Sequence, residues 1–135
     1  MGELEPRNKA LVLEYMKAFR TFEPERYFPY LTDNPTYYAG MNMRQGREAF
    51  KANTDAGRIL YPHPEAATQE VMAVLADGDW VSVLLKRRAE TNKVPDYENI
   101  YAMFYQVIDG KIAVQVEMMD FRVSSEKFDL SALQR

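Results

Sequence analysis

At 135 residues, 47% of them hydrophobic and 27% charged, the chain has the size and balance of one globular domain with a genuine core. A net charge of −3 with no long basic run argues against a nucleic-acid surface. The absence of cysteine excludes disulfides, thiolate nucleophiles and cysteine metal sites, and no apolar run approaches the ~20 residues that a membrane helix needs.

The start, Met1-Gly2-Glu3-Leu4-Glu5-Pro6, is acidic and has no apolar leader, and Pro6 stands where a myristoylation motif wants Ser or Thr. The expectation is a cytoplasmic chain organised as one domain over 1–135, with a core of about 8–123 and a polar tail of 124–135. Asn8 to Thr21 predicts an amphipathic helix. Leu11, Tyr15, Ala18 and Phe22 recur at spacings of 4, 3 and 4, joined by Phe19, with Lys9, Lys17 and Arg20 mostly opposite. Pro24 opens a short helix through Tyr27, Phe28 and Leu31, because a first turn has no use for the N–H that proline lacks. Asp33-Asn34-Pro35 reads as a turn and Thr36 to Met41 as a strand. A second helix from about Gly46 to Leu60 turns Ala49, Phe50 and Ile59 to the core. It ends at Tyr61-Pro62-His63-Pro64, since closely spaced prolines cannot continue it.

Strands follow. Thr68 to Ala76 and Asp79 to Ala89 flank Asp77-Gly78; Tyr97 to Ile108 and Lys111 to Val123 flank Asp109-Gly110. Asp-Gly suits a tight hairpin because glycine accepts positive φ and aspartate tolerates it. In the tail, Phe128, Leu130 and Leu133 are placed to dock on the sheet. Helices first and strands afterwards read as an α+β fold with the helices on one sheet face.

The last strand runs out into Glu117-Met118-Met119-Asp120, where acids beside apolar residues are costly unless something uses them. By alternation Glu117 shares a face with Gln115 and Met119, and Asp120 with Val116 and Met118. Both reach one cavity only through a bulge. An apolar surround would raise such a pKa and suit a general base; an ion pair with Arg87, Arg88 or Arg122 is the structural alternative. Asn99, Tyr101, Met103 and Tyr105 share a face. That stripe lines a ligand cavity with Trp80 or Phe50, or else is plain core or dimer surface. Lys86-Arg87-Arg88 reads as a solvated edge or as an anionic-substrate contact. His63 is the only histidine and has no cluster of carboxylates, so no metal site is expected. With no phosphate loop, His-Glu-x-x-His or Gly-x-Ser-x-Gly present, proton transfer in an apolar pocket is what remains.

Three segments carry a resemblance. Glu14-Tyr15-Met16-Lys17-Ala18-Phe19 is similar to the first helix of ketosteroid isomerases, and Thr68-Gln69-Glu70-Val71-Met72-Ala73-Val74 to their first long strand. Asp109-Gly110-Lys111-Ile112, followed by Asp120, is similar to the ending of SnoaL-type polyketide cyclases. In order and spacing, Asn8 to about Phe121 resembles the nuclear transport factor 2-like superfamily in those two branches. The resemblance implies a cone-shaped, cystatin-like α+β barrel, its curved antiparallel sheet wrapped around N-terminal helices and enclosing an apolar cavity. It implies Tyr15 as donor to a substrate carbonyl. The ketosteroid isomerase base falls near Tyr38 or Ala39 and the aspartic-acid donor near Met103, so steroid isomerisation by that mechanism is not expected. The SnoaL ending favours Asp120 as the acid/base, whereas the ketosteroid isomerase alignment turns Glu117 inward.

The expected site therefore comprises Tyr15, Glu117 and Asp120 as catalytic residues. Phe19, Tyr38, Phe50, Trp80, Tyr101, Met103, Tyr105 and Met119 are expected around the substrate, with no metal and no cofactor. The expected activity is that of an isomerase, cyclase or dehydratase removing a proton next to a carbonyl of a small apolar molecule. The alternatives are a non-catalytic ligand-binding or dimerisation module, and an epoxide hydrolase using Asp120 with Arg87 or Arg88. The resemblance also implies a homodimer packed through one face of the sheet.

Overall fold

The computed structural model describes residues 3–134, so Met1-Gly2 and Arg135 lie outside the described residues. Helix α1, Leu4–Phe19, begins earlier than its apolar rhythm predicts, because Pro6 falls in the first turn, where N–H groups have no helical partner. Its buried residues are Asn8, Val12, Tyr15 and Met16, one stripe at i, i+4, i+7 and i+8, with Leu11, Ala18 and Phe19 packed beside them. The short helix α2, Pro24–Tyr27, and a single 3-10 turn, Phe28–Tyr30, lead straight into strand β1, Leu31–Ala39. Leu31 and Asp33-Asn34-Pro35 thus lie in a strand and not in a helix and a turn. The register slips between Leu31 and Thr36, and such an irregularity is where a strand accommodates a proline.

Strand β2, Asn42–Gln45, folds back on β1. Helix α3, Arg47–Leu60, buries Phe50, Thr54 and Gly57, whereas Ile59, expected inward, is 48% exposed. Nine residues after Phe50 is about two and a half turns, which puts Ile59 on the opposite side. Gly57 makes room for the ring of Phe22, which would stand 2.8 Å from a Cβ at that position.

Strands β3 (Thr68–Asp77), β4 (Trp80–Ala89), β5 (Tyr97–Ile108) and β6 (Lys111–Met119) complete a sheet of order β2-β1-β6-β5-β4-β3. The α+β architecture stands, but the sheet is mixed: β1 runs parallel to β6 and every other pair is antiparallel. The β5–β6 loop has φ of 51° at Asp109 and 74° at Gly110, the mirror-image turn that matches the twist of paired strands. The β3–β4 loop is Gly78-Asp79, one residue later than the sequence signal suggests. Alternate residues of β5 from Tyr97 to Val107 are buried, so one sheet face carries the core and α1 packs across β3 and β4 on that face.

Strand β6 stops at Met119 and does not run to Val123, because Asp120 caps a further helix, α4, Phe121–Lys127. The Asp120 carboxylate accepts the N–H of Arg122 at 3.1 Å and of Val123 at 3.2 Å. Beyond α4, Phe128 packs against Tyr61 and Tyr97, with ring centroids 5.3 and 4.8 Å apart, while Leu133 remains 40% exposed. Among the described residues no helix is long and apolar enough to cross a membrane.

Candidate functional site

Helices α1, α3 and α4 and the inner face of β4–β6 line a half-open cavity of about 450 Å³. Met16, Phe19, Leu60, Leu85, Met103 and Met119 make most of it apolar, and a few polar groups converge on it, as in sites for small molecules.

Glu117 is the only carboxylate that lines the cavity among the described residues. It faces inward because it stands opposite Met103 on β5 and Ala39 on β1, on the face that also buries Gln115. The Tyr37 hydroxyl donates to Glu117 Oε1 at 2.7 Å, and the Asn53 amide donates to the Tyr37 oxygen at 2.9 Å. One carboxylate oxygen is therefore held in place by the wall. The other accepts no hydrogen bond from the described residues and is free to meet a ligand. Burial, followed by the charge of Glu117, holds the Tyr37 pKa well above its ordinary value, so this phenol stays a donor. Burial and Glu117 likewise raise Tyr105, whose hydroxyl has no hydrogen-bond partner among the described residues while its ring lines the cavity.

Arg87 enters the cavity from β4. Its guanidinium carbon lies 4.3 Å from the ring centroid of Tyr101 and 5.9 Å from that of Tyr61, and Nη1 donates to the Tyr61 hydroxyl at 3.2 Å. Burial works against its charge, but Tyr61, Tyr101 and Glu117 outweigh burial and keep its pKa above the usual value. Gln69, its register partner on β3, lines the same region.

A helix pair crossing a curved sheet around such a cavity has counterparts among solved structures. A candidate SnoaL-like polyketide cyclase from Jannaschia sp. CCS1 is 14% identical, and the match covers 93% of each chain with a TM-score of 0.81. An NTF2-like protein of unknown function from Cytophaga hutchinsonii ATCC 33406 is 18% identical over 85% of this chain and 91% of its own, with a TM-score of 0.65. TerC, co-crystallised with polyporic acid, is 14% identical over 90% of this chain and 97% of its own, with a TM-score of 0.74. This is the nuclear transport factor 2-like fold. No family model matches the sequence, and no curated protein matches it.

In this nuclear transport factor 2-like cone, Phe19, Tyr101, Met103, Tyr105, Glu117 and Met119 meet at the cavity. Other expected residues lie elsewhere, and each displacement has a cause. Tyr15 is fully buried and donates its hydroxyl to Gln115 Oε1 at 2.5 Å, so it is taken up by the core and does not line the cavity. Phe50, also fully buried, stands behind the wall, edge-on to Tyr37 and Phe19. Tyr38 projects from the other sheet face, because in a strand its neighbour Tyr37 takes the inner one. Trp80 is 41% exposed and shares the outer face with its register partner Gln106.

Asp120 is exposed at the α4 cap and does not line the cavity. With Asp120 outside, the cavity holds Arg87 without Asp120, so the Asp120–arginine pairing of the epoxide hydrolase alternative is not assembled among the described residues. No group of three metal-ligating side chains is found among them either. Reading the sequence missed Tyr37 and Asn53. Tyr37 joins the site through its parallel register with Gln115, a pairing that no local pattern announces.

Proposed function

We propose that this chain is a cofactor-free enzyme that moves a proton next to the carbonyl of a small, largely apolar molecule held in the cavity. The observation that carries the reading is Glu117, the sole cavity carboxylate among the described residues, fixed through one oxygen by Tyr37 with the other oxygen open. In this scheme Glu117 takes the proton from the α-carbon, the C–H electron pair passes into the enolate, and Tyr105 donates a hydrogen bond to the oxygen that gains charge. Returning the proton to another carbon completes an isomerisation; delivering it to a departing hydroxyl completes a dehydration. The apolar lining favours this chemistry by excluding water from the charged intermediate. Structures of the same fold described as a candidate SnoaL-like polyketide cyclase and as TerC with polyporic acid support a ring-containing ligand.

Deuterium exchange at the α-carbon of 2-tetralone in D₂O, followed by NMR, tests the reading. Acceleration by the wild-type protein and its loss in Glu117→Gln are the expected results. Binding of the ketone without acceleration would identify a ligand-binding module and reject the enzyme.

The outer sheet face favours one partner. Leu75, Trp80, Ile100, Phe104 and Met118 are 36–67% exposed there, and exposed apolar side chains gathered on one face are of the kind that protein partners cover. A second copy of the chain is the proposed cover. Sedimentation of a species twice the 15.7 kDa chain, reduced to monomer by Phe104→Glu, is expected, and a wild-type monomer overturns it.

A further inference from the structure

We propose that the substrate carries a delocalised oxyanion, a carboxylate or an acidic enol, which binds between Arg87 and Gln69 at the end of the cavity away from Glu117. The inference rests on the reading of Glu117 as the base only for where the reacting carbon lies.

Arg87 has no carboxylate within 4.0 Å among the described residues. Its neighbour in sequence, Arg88, pairs with Glu98 and Glu70 on the other sheet face. The second arginine lining the cavity, Arg20, donates to the Ala67 carbonyl at 3.0 Å. Arg87 is thus a cation in a largely apolar cavity that feels Glu117 only from a distance and has no acid in direct contact among the described residues, an arrangement in which a ligand's counter-charge would be favoured. A guanidinium offers five N–H donors in a planar fork, and among the described residues only one of these is engaged, by Tyr61. The Tyr101 ring, 4.3 Å from the guanidinium carbon, supports the fork, and a planar fork suits a planar, two-oxygen acceptor more than a point charge. Gln69, directly across in the β3–β4 register, has a side-chain amide with no partner among the described residues and adds a second donor. Asn99, the register partner on the other side, is spent on Tyr97, Ser124 and the Asp120 carbonyl.

The sheet also sets the distance. Glu117 is level with Met103 and Val83, whereas Arg87 stands on β4 beyond Val83, two strands from Glu117. On an ideal sheet that is about 10 Å across and about 13 Å along between backbones, from which two long side chains reach toward each other. What remains between the fork and the carboxylate suits a small fused-ring skeleton. The oxyanion must also sit away from Glu117, because like charges side by side would oppose binding. The substrate class is therefore a ring-containing carbonyl compound with an acidic group remote from the carbon that loses its proton.

Calorimetric titration of the full chain with 2-naphthoate and with its uncharged isostere 2-naphthamide tests this. The wild type is expected to bind the naphthoate about tenfold or more tightly than the amide, as charge-assisted hydrogen bonds allow. R87Q is expected to weaken naphthoate by about 10- to 100-fold and to leave the amide nearly unchanged. R87M, which keeps an apolar stem against Tyr101, replaces R87Q if the latter does not fold. Equal binding of the two probes by the wild type, an undiminished preference in the Arg87 variants, or no binding of either at millimolar concentration would each overturn the assignment. The two readings fail separately. Naphthoate preference without ketone exchange leaves the oxyanion site and removes the base, whereas exchange without preference does the reverse.

Discussion

Gln115 and Glu117 sit two residues apart on one face of β6, and each receives a hydroxyl proton from a buried tyrosine, yet they belong to different regions. Around Gln115 the molecule is closed: the side chain is fully buried, Tyr15 bonds its Oε1, and Tyr27, Tyr30 and Tyr105 pack edge-on around the Tyr15 ring. Around Glu117 it is open: Tyr37 bonds one oxygen and the cavity takes the other side. About 7 Å along a strand thus separates a polar group that serves packing from one that is available for chemistry. A tyrosine–acceptor pair is no mark of a site in itself; the space beside the acceptor is.

The strongest way to break this contrast is Glu117→Gln. It is expected to slow ketone proton exchange by about 10²- to 10⁴-fold while changing the unfolding free energy by less than about 1 kcal/mol. A large loss of stability in urea titration would return Glu117 to the closed region. Tyr15→Phe should behave in the opposite sense. Losing the donor leaves the Gln115 amide, whose Nε2 already lacks a partner, wholly unpaired, at about 1–3 kcal/mol, with exchange kinetics unchanged. Combining it with Gln115→Leu should recover most of that loss, since no orphaned polar group remains.

Alkaline pH should strike both regions together. Burial raises Tyr15 and Tyr37 well above their ordinary values and pushes Tyr27 up to about 12. In the unfolded chain tyrosines ionise near pH 10, while the buried ones keep their protons, so the unfolded state holds fewer protons in that interval. Each contribution is fully present below about pH 10; that of Tyr27 is lost as pH rises through about 12, and those of Tyr15 and Tyr37 as pH rises through their own raised values. Melting temperatures followed by circular dichroism should be level up to the lower value and fall above it. The smallest expected effect is that of Asp120→Ala, about 1 kcal/mol from loss of the α4 cap, with proton exchange intact. Lost exchange in that variant would bring Asp120 back as a catalytic candidate.

Features carried by local pattern were legible in the sequence. The Asp109-Gly110 turn, the buried stripe of β5 and the extent of α3 follow from positive φ, alternation and helix-breaking prolines. Asp120 was misplaced because Phe121-Arg122-Val123 has the composition of a strand, and a cap of two N–H bonds outweighs that propensity. Tyr37 and Tyr38 were interchangeable to local reading. Alternation says that they oppose each other, but only the pairing with Gln115 decides which one turns inward. The parallel alignment of β1 with β6 joins segments far apart in the chain, so nothing near either strand signals it.

That alignment has a consequence for how the protein comes into being. Tyr37 and Glu117 are 80 positions apart, and the strand that carries Glu117 is the last of the sheet to be made. At about 5–20 residues per second of synthesis, the first helices and β1 wait several seconds on the ribosome for their neighbour, with an unpaired strand edge exposed. Nascent chains that stop before β6 can bury much of α1 against β3 and β4 and still possess no Tyr37–Glu117 contact. The Tyr37–Glu117 pair is therefore born late and all at once, with the closing of the sheet.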